Sequence, residues 1–308
     1  MKRTLSLLIT GAAGWIGSRV ARVAEREGEG GIPVFLTDVA PQPSLAFPFL
    51  QGDLCDPEFA GKVLDWATPG AILHLAGTNH NAPRELHWLL NLGGTANLLE
   101  ACAASRWRGH FIQLGSAAEY GRKSHVTHYS ESTPCSPRGA YAVSKYLQFR
   151  CLSAFGDAGW RWIHLRLFNP IGPGMRPHLM LGRLIGQVSA MRDASGPIRA
   201  ELWTPHPVRD YVSVEDVAGI LLRAAREQWD DEILNIGTGR GWSVAEVVAA
   251  LSCAAGREIQ VTYTKPEMGS DDVVVADTTR LQRRLGDAFA FSDLHSTVRE
   301  MWSVLTSS

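Results

Sequence analysis

Ser116, Tyr141 and Lys145 are residues of this sequence that could move a proton together. Tyr141 and Lys145 stand four apart in YAVSK, so a helix would bring both side chains to one face. A tyrosine with pKa about 10 is roughly 0.1% ionised at neutral pH. A neighbouring ammonium favours the phenolate, which can then take a proton from an alcohol; the phenol gives it back in the reverse direction. A Tyr/Lys pair at this spacing also arises by chance. Ser116, in LGSAAEYG, follows an apolar run that reads as a strand. Its hydroxyl could share the substrate oxygen's proton with Tyr141, or could cap its own loop backbone.

Proton transfer at an alcohol needs a hydride acceptor, and the stretch SLLITGAAGWIGSRVARV offers a place for one. Glycines Gly11, Gly14 and Gly17 lie between an apolar run and a helical pattern. The first glycine permits a tight turn, the second close backbone approach to a pyrophosphate, and the third close packing of helix on strand. Helix N-terminal N–H groups stabilise the negative charge. The spacing is G-x-x-G-x-x-G, one residue longer than the dinucleotide fingerprint G-x-G-x-x-G. Asp38 ends the next apolar run, 21 positions after Gly17. An acid there binds the adenosine ribose hydroxyls and repels a 2′-phosphate, and Val39-Ala40-Pro41 adds no cation, which points to NAD rather than NADP. The nicotinamide's positive charge would further favour the Tyr141 phenolate. A secretion signal over Met1 to Ala13 is the competing reading. It fails because LSLLI falls short of the roughly 7–15 apolar residues required and is broken by Ser6.

These side chains need a scaffold, and the patterns supply one. SLLIT, IPVFLTD, AILHLAG, HFIQLGS and WIHLRLFN read as strands. Between them, residues 14–26, DPEFAGKVLDWA with Asp56 as N-cap, LNLGGTANLLEACAAS and YAVSKYLQFRCLSAFG read as helices. This alternation predicts an α/β fold with a doubly wound parallel sheet, that is, a Rossmann domain. After Asn169 the Pro/Gly-rich PIGPGMRPH breaks the rhythm. VRDYVSVEDVAGILLRAA and EILNIG read as a return to the sheet. The expected division is 1–169 with 208–238 as the NAD-binding domain, and 170–207 with 239–308 as a smaller, discontinuous substrate lobe. The chain has 308 residues, 45% hydrophobic, with a formal net charge of −1, which gives no electrostatic argument for nucleic acid or membrane. Five scattered cysteines suit reduced thiols and a cytoplasmic location. His125 and His128 read as a solvated loop pair, and no metal is expected.

TGAAGWIG, GDLCD, HLAG, GSAAEYG, YAVSK, RLFNPIGPG, RDYVSVEDVA and NIGTG occur in the order found in the extended short-chain dehydrogenases/reductases. The chain resembles that nucleotide-sugar epimerase/dehydratase family over nearly its whole length. The resemblance implies Ser116, Tyr141 and Lys145 as the catalytic set. It implies Gly11, Gly14, Trp15, Ile16, Gly17, Asp38, Asp53, Leu54, Leu75, Ala76 and Gly77, with Tyr141 and Lys145, around NAD, Asp53 meeting the adenine amino group. Thr78, Ser116, Asn169 and Arg209 would meet the nucleotide sugar, the last two at its diphosphate. A homodimer is implied too, pairing the helix from Tyr141 with that around Asn91 to Ser105. Tyr146, Leu147, Phe149, Leu152 and Phe155 make the first of these apolar nearly all round; a monomer with that helix under the second lobe is the alternative.

The chain departs from the family pattern at three places. The Asp-Glu pair of the dehydratases is replaced by Ala117 and Ala118, which argues against 4,6-dehydration; Glu119, one place along, should point the other way in extended chain. Asn79 stands where some epimerases carry lysine. Glu267 to Ser270 replaces an arginine-bearing segment, a loss for which Lys265 could compensate. The expected activity is NAD-dependent oxidation and reduction at C4 of a nucleotide-linked hexose, most simply a 4-epimerase. The alternatives are a 4-keto-6-deoxyhexose reductase, a non-catalytic NAD-binding regulator, or an enzyme for a non-sugar alcohol. The nucleotide, UDP, GDP or dTDP, stays open.

Overall fold

Our computed structural model describes residues 6–28, 32–42, 44–78, 81–123, 125–156, 159–192, 196–230, 232–267 and 272–307. Residues 1–5, Asn79 and residues 268–270 of the Glu267–Ser270 segment therefore lie outside the described residues. The chain divides into two compact units, 1–121 with 134–167 and 217–234, and 122–133 with 168–216 and 235–308.

The first unit is built on a seven-stranded sheet. Its order is Ile233–Ile236, Arg161–Leu167, His110–Ser116, Ala71–His74, Leu7–Thr10, Val34–Asp38, Phe49–Gln51. From Arg161–Leu167 across to Phe49–Gln51 every pairing is parallel. Parallel strands buried on both faces must be almost wholly apolar, as in the run Leu7-Leu8-Ile9. Alternation then sorts side chains to opposite faces. Leu8, Ile72 and Phe111 join the helices Pro57–Ala67, Thr95–Ala104 and Ala140–Ala154 in one core cluster. Leu7 and Val34 instead lie beside Ala24 of Trp15–Arg26 and Leu222 of Val214–Glu227. Chain order reverses between Leu7–Thr10 and Ala71–His74, and ligands of doubly wound sheets sit beyond the carboxyl ends of strands at such a switch.

Local chemistry sets the helix starts as expected at Asp56, whose carboxylate accepts from the Glu58 N–H at 2.9 Å with Pro57 in the first turn. The helix expected from Leu90 differs. It begins at Arg84, passes through a π-helical segment His87–Gly94, and becomes α-helical only at Thr95. The wider turn carries Asn91, whose side chain is fully buried between Thr78 and Ser144.

In the second unit, Val208–Ser213 pairs with Gly241–Ser243, Val273–Ala276 and Asn169–Ile171, and His128–Tyr129 joins Val273–Ala276. A parallel pair, Ile198–Leu202 with Ile259–Tyr263, is separate. Leu184, Val188, Val247, Leu251, Val298 and Met301 form the core between helices Met180–Ala190, Val244–Ala255 and Leu294–Thr306. The division differs from the expected 208–238 segment in a definite way. Residues 208–216 group with the second unit, where Val208–Ser213 finds its partners, and the boundary at Leu234 falls inside the edge strand Ile233–Ile236. The apolar pattern of Val208–Ser213 suits either sheet, so only long-range pairing decides. His128 is thus at a strand, and no metal-holding cluster exists among the described residues.

Candidate active site

Gly11 leaves the first strand at φ +69°, a conformation that favours glycine, and a Cβ there would lie 2.6 Å from the Ala76 nitrogen. A Cβ on Gly17 would lie 2.0 Å from the Gly11 carbonyl oxygen. Gly14 is the N-cap of the helix Trp15–Arg26, and no side chain caps that helix. The Ser18 N–H closes on the Gly14 carbonyl at 2.8 Å, and the positive end of the helix dipole at this start suits a pyrophosphate. Trp15 and Ile16 are half-buried at this start. Asp38 ties the second strand to the turn, accepting from the Ala13 N–H and the Ala40 N–H at 2.9 Å each. A carboxylate has about four acceptor positions, so capacity for ribose hydroxyls remains. Asp53 is exposed and accepts from the Cys55 N–H, while Leu54 is buried and its carbonyl accepts from Asn97. The residues present fit NAD.

Leu75, Ala76 and Gly77 follow the fourth sheet strand, where Thr10 accepts from Leu75 and Ala76 N–H groups. A Cβ on Gly77 would lie 2.6 Å from Asn91 Oδ1 and 3.5 Å from Lys145 Nζ, which puts this run beside the lysine. Thr78 donates its N–H to Asn91 Oδ1 at 2.8 Å, and its hydroxyl lies 2.7 Å from His87 Nδ1.

Ser116 ends the strand His110–Ser116, and its hydroxyl is hydrogen-bonded to Tyr141. It also caps the Ala118 N–H at 3.2 Å, the backbone-capping arrangement that the sequence offered as the alternative for this serine. Lys145 donates to the Leu114 carbonyl at 3.1 Å and to Gln148 Oε1 at 3.0 Å. Burial pulls its ammonium down to about 8, and Glu119 works against that fall. Burial raises the Tyr141 phenol above the ordinary tyrosine value; the Ser116 bond opposes the rise and Glu119 adds to it. Lys145 meanwhile gives two of its three hydrogens to Leu114 and Gln148.

Behind the lysine runs a buried polar chain that the sequence reading did not pick out. Gln148 Nε2 donates to Thr95 Oγ1 at 2.8 Å, and Thr95 donates to the Asn91 carbonyl at 2.7 Å. His74 Nε2 is 2.9 Å from the same Thr95 oxygen, and His74 Nδ1 is 2.8 Å from Thr10 Oγ1. With its own hydrogen already given to Asn91, Thr95 must accept from His74, so the imidazole proton sits on Nε2 and Nδ1 accepts from Thr10. Burial, with Lys145 adding to it, lowers His74 to about 3 and keeps it neutral. The missed signal was Gln148, a polar residue three after Lys145 in an otherwise apolar helix.

In the second unit Asn169 donates to the Asp210 carbonyl at 3.0 Å. Arg209 donates to the Val208 and Asp272 carbonyls at 3.0 and 2.7 Å and bonds Asp272 Oδ2 at 2.5 Å. The second cation on that carboxylate is Arg122, at 3.1 Å, an arginine that sequence reading left in a polar loop. Lys265 lies elsewhere, its ammonium 5.7 Å from the centre of the Trp203 ring.

The model of the NAD dependent epimerase/dehydratase family matches residues 7–237. A UDP-glucose 4-epimerase of Streptomyces lividans is 31% identical, covering 96% of this chain and 94% of its own length. A GDP-6-deoxy-D-mannose reductase of Pseudomonas aeruginosa is 29% identical, covering 70% of this chain and 73% of its own. The crystal structure of the Thermus thermophilus UDP-glucose 4-epimerase in complex with NAD superposes with a TM-score of 0.82 at 27% identity, covering 99% and 100% of the two chains.

Proposed function

This chain belongs to the NAD-dependent epimerase/dehydratase family, and from that premise we propose that it is a nucleotide-sugar 4-epimerase. It is an extended short-chain dehydrogenase/reductase enzyme, and its cofactor is NAD. The observation that carries the epimerase reading is the hydrogen-bonded pair of hydroxyls, Ser116 and Tyr141, with Lys145 one helical turn on. Full-length similarity to 4-epimerases supports it over reduction, since the reductase relative covers less of the chain.

When bound, NAD supplies the acceptor for the C4 hydride and returns it. Tyr141 takes the C4 hydroxyl proton and restores it after the sugar turns. Ser116 holds that oxygen. Lys145, fixed by Leu114 and Gln148, supplies positive charge near the forming oxyanion. The glycine turn and Asp38 hold pyrophosphate and adenosine ribose; Asp53, Leu54 and residues 75–77 complete the cofactor contacts. Asn169 and Arg209 hold the sugar's diphosphate, a guanidinium fork suiting phosphate, and Thr78 meets the sugar. Ala117 and Ala118 offer no acid to eliminate water.

Helix Ala140–Ala154 supports a homodimer. Its buried face carries Ser144, Lys145 and Gln148, while Tyr146 and Leu147 are only half-buried and Leu89 in the π segment is half exposed. An apolar outer surface of this kind is covered by a second copy. None of the described cysteines forms a disulfide, in keeping with a cytoplasmic location, and no helix among the described residues is long and apolar enough to cross a membrane.

The test is UDP-galactose as probe with purified protein and no added cofactor. UDP-glucose should form, and denaturation should release about one NAD per chain. Steady NADH loss with a nucleotide-linked 4-keto-6-deoxyhexose, and no interconversion, would make it a reductase. Gel filtration should give the mass of two chains; a single-chain mass at micromolar concentration removes the dimer.

A further inference from the structure

Glu119 is fully buried, and the reaction as derived makes no use of it. The chain does not stay extended after Ser116; it enters a short 3-10 turn, Ala117–Tyr120, that folds Glu119 back beneath the serine. The carboxylate accepts the Ser116 N–H at 2.8 Å. His164 Nε2 lies 2.9 and 3.0 Å from its two oxygens, and Arg166 Nε donates to it at 3.0 Å. Space has been made for this cluster: a Cβ on Gly115 would stand 2.2 Å from His164 Nε2 and 2.5 Å from Glu119 Oε1.

We propose that Glu119 is a positioning residue for the Ser116–Tyr141–Lys145 set, fixing the serine backbone and supplying a negative field at Tyr141 and Lys145. The inference rests on the catalytic reading above and adds a residue to it. The groups facing the carboxylate are His164 and Arg166 from the strand Arg161–Leu167 and the Ser116 N–H, and Arg166 in turn lies over the Tyr120 ring, 4.6 Å from its centre. Tyr141 and Lys145 of the helix Ala140–Ala154 feel its charge, and Tyr141 also faces the His87 ring, with centroids 5.8 Å apart. An anion there disfavours phenolate and favours ammonium, so it holds the proton on both partners.

The experiment is Glu119→Gln in the NAD-loaded enzyme, with the Tyr141 phenolate read as the absorbance difference against the matching Tyr141→Phe protein. Removing the anion should lower the Tyr141 pKa. The acid limb of kcat for UDP-galactose, set by Tyr141, and the alkaline limb, set by Lys145, should both move to lower pH. Glu119→Asp keeps the charge beside Arg166 but shortens its reach to the Ser116 N–H. It should leave the phenolate titration in place and lower kcat about tenfold at unchanged KM, the cost of a weakened charge-assisted bond. An unmoved titration in Glu119→Gln, or full kcat in Glu119→Asp, would overturn the proposal; should the Gln variant fail to fold, the Asp variant decides alone. The titration needs no sugar, so failure of the epimerase reading shows separately, as absent turnover in the unaltered enzyme.

Discussion

Glu119 in the first unit and Asp210 in the second are both sealed from solvent, and each is stabilised differently. Burial pushes Glu119 up, but His164, Arg166 and the Ser116 N–H outweigh it, and the carboxyl lies below its ordinary range. Asp210 has no cation among its bonds. Its oxygens accept from the Thr238 N–H and hydroxyl and from the Gly239 and Ala276 N–H groups, at 2.6 to 3.2 Å. Burial prevails there, and the carboxyl lies above its ordinary range. Asp210 ties a strand to a loop and a neighbouring strand, whereas Glu119 sends its field toward groups that move protons. A buried acid held by dipoles alone is structural; one balanced by a guanidinium beside a phenol can tune chemistry.

The largest effect expected is at the group Glu119 serves. Tyr141→Phe should cut UDP-galactose turnover about 10²–10⁴-fold, the span of general acid–base catalysis, with NAD binding retained by equilibrium dialysis. Loss of NAD affinity without such a fall would break the link between Glu119 and chemistry. Arg166→Met leaves the Glu119 charge without its cation. It should cost about 3–5 kcal/mol in urea unfolding. Asp210→Asn, with no cation to strand, should cost less, about 1–3 kcal/mol, because an amide group replaces an acceptor facing N–H donors. It should leave the Tyr141 titration where it was.

The two acids should also give opposite pH slopes. Glu119, lowered from 4.5, contributes stability above that value that is lost as pH falls through its folded pKa. Asp210, raised from 3.8, takes up its proton more readily when folded, so its contribution declines as pH rises from 3.8 through its folded pKa. Comparing each amide variant with the unaltered protein by urea unfolding across this range should show slopes of opposite sign. The smallest effect is Thr238→Val, which removes one of the four donors on Asp210 and should cost about 1 kcal/mol by the same measurement.

Much of the fold was legible because its signals are local. The start of the first helix at Gly14, the Asp56 cap and the run ending at Asp38 each depend on a few neighbouring residues. Tyr141 and Lys145 were legible because helix geometry alone puts them on one face. The allegiance of Val208–Ser213 was not, since its alternation suits either sheet and its partners lie far along the chain. Glu119 looked like an acid on the wrong side of a strand because nothing adjacent announces a 3-10 turn.

The sequence by itself determined most of the first unit's strands and helices, the glycine turn and the family, and proposed the set Ser116, Tyr141 and Lys145, since these rest on residue types at short fixed spacings. Only the tertiary structure decided what surrounds them. It joined Lys145 to Gln148, Thr95 and His74, put Arg122 beside Arg209 on the Asp272 carboxylate, and closed His164 and Arg166 around Glu119. Burial and charge pairing between distant segments fix the energy of a proton, and neither exists until those segments have packed together.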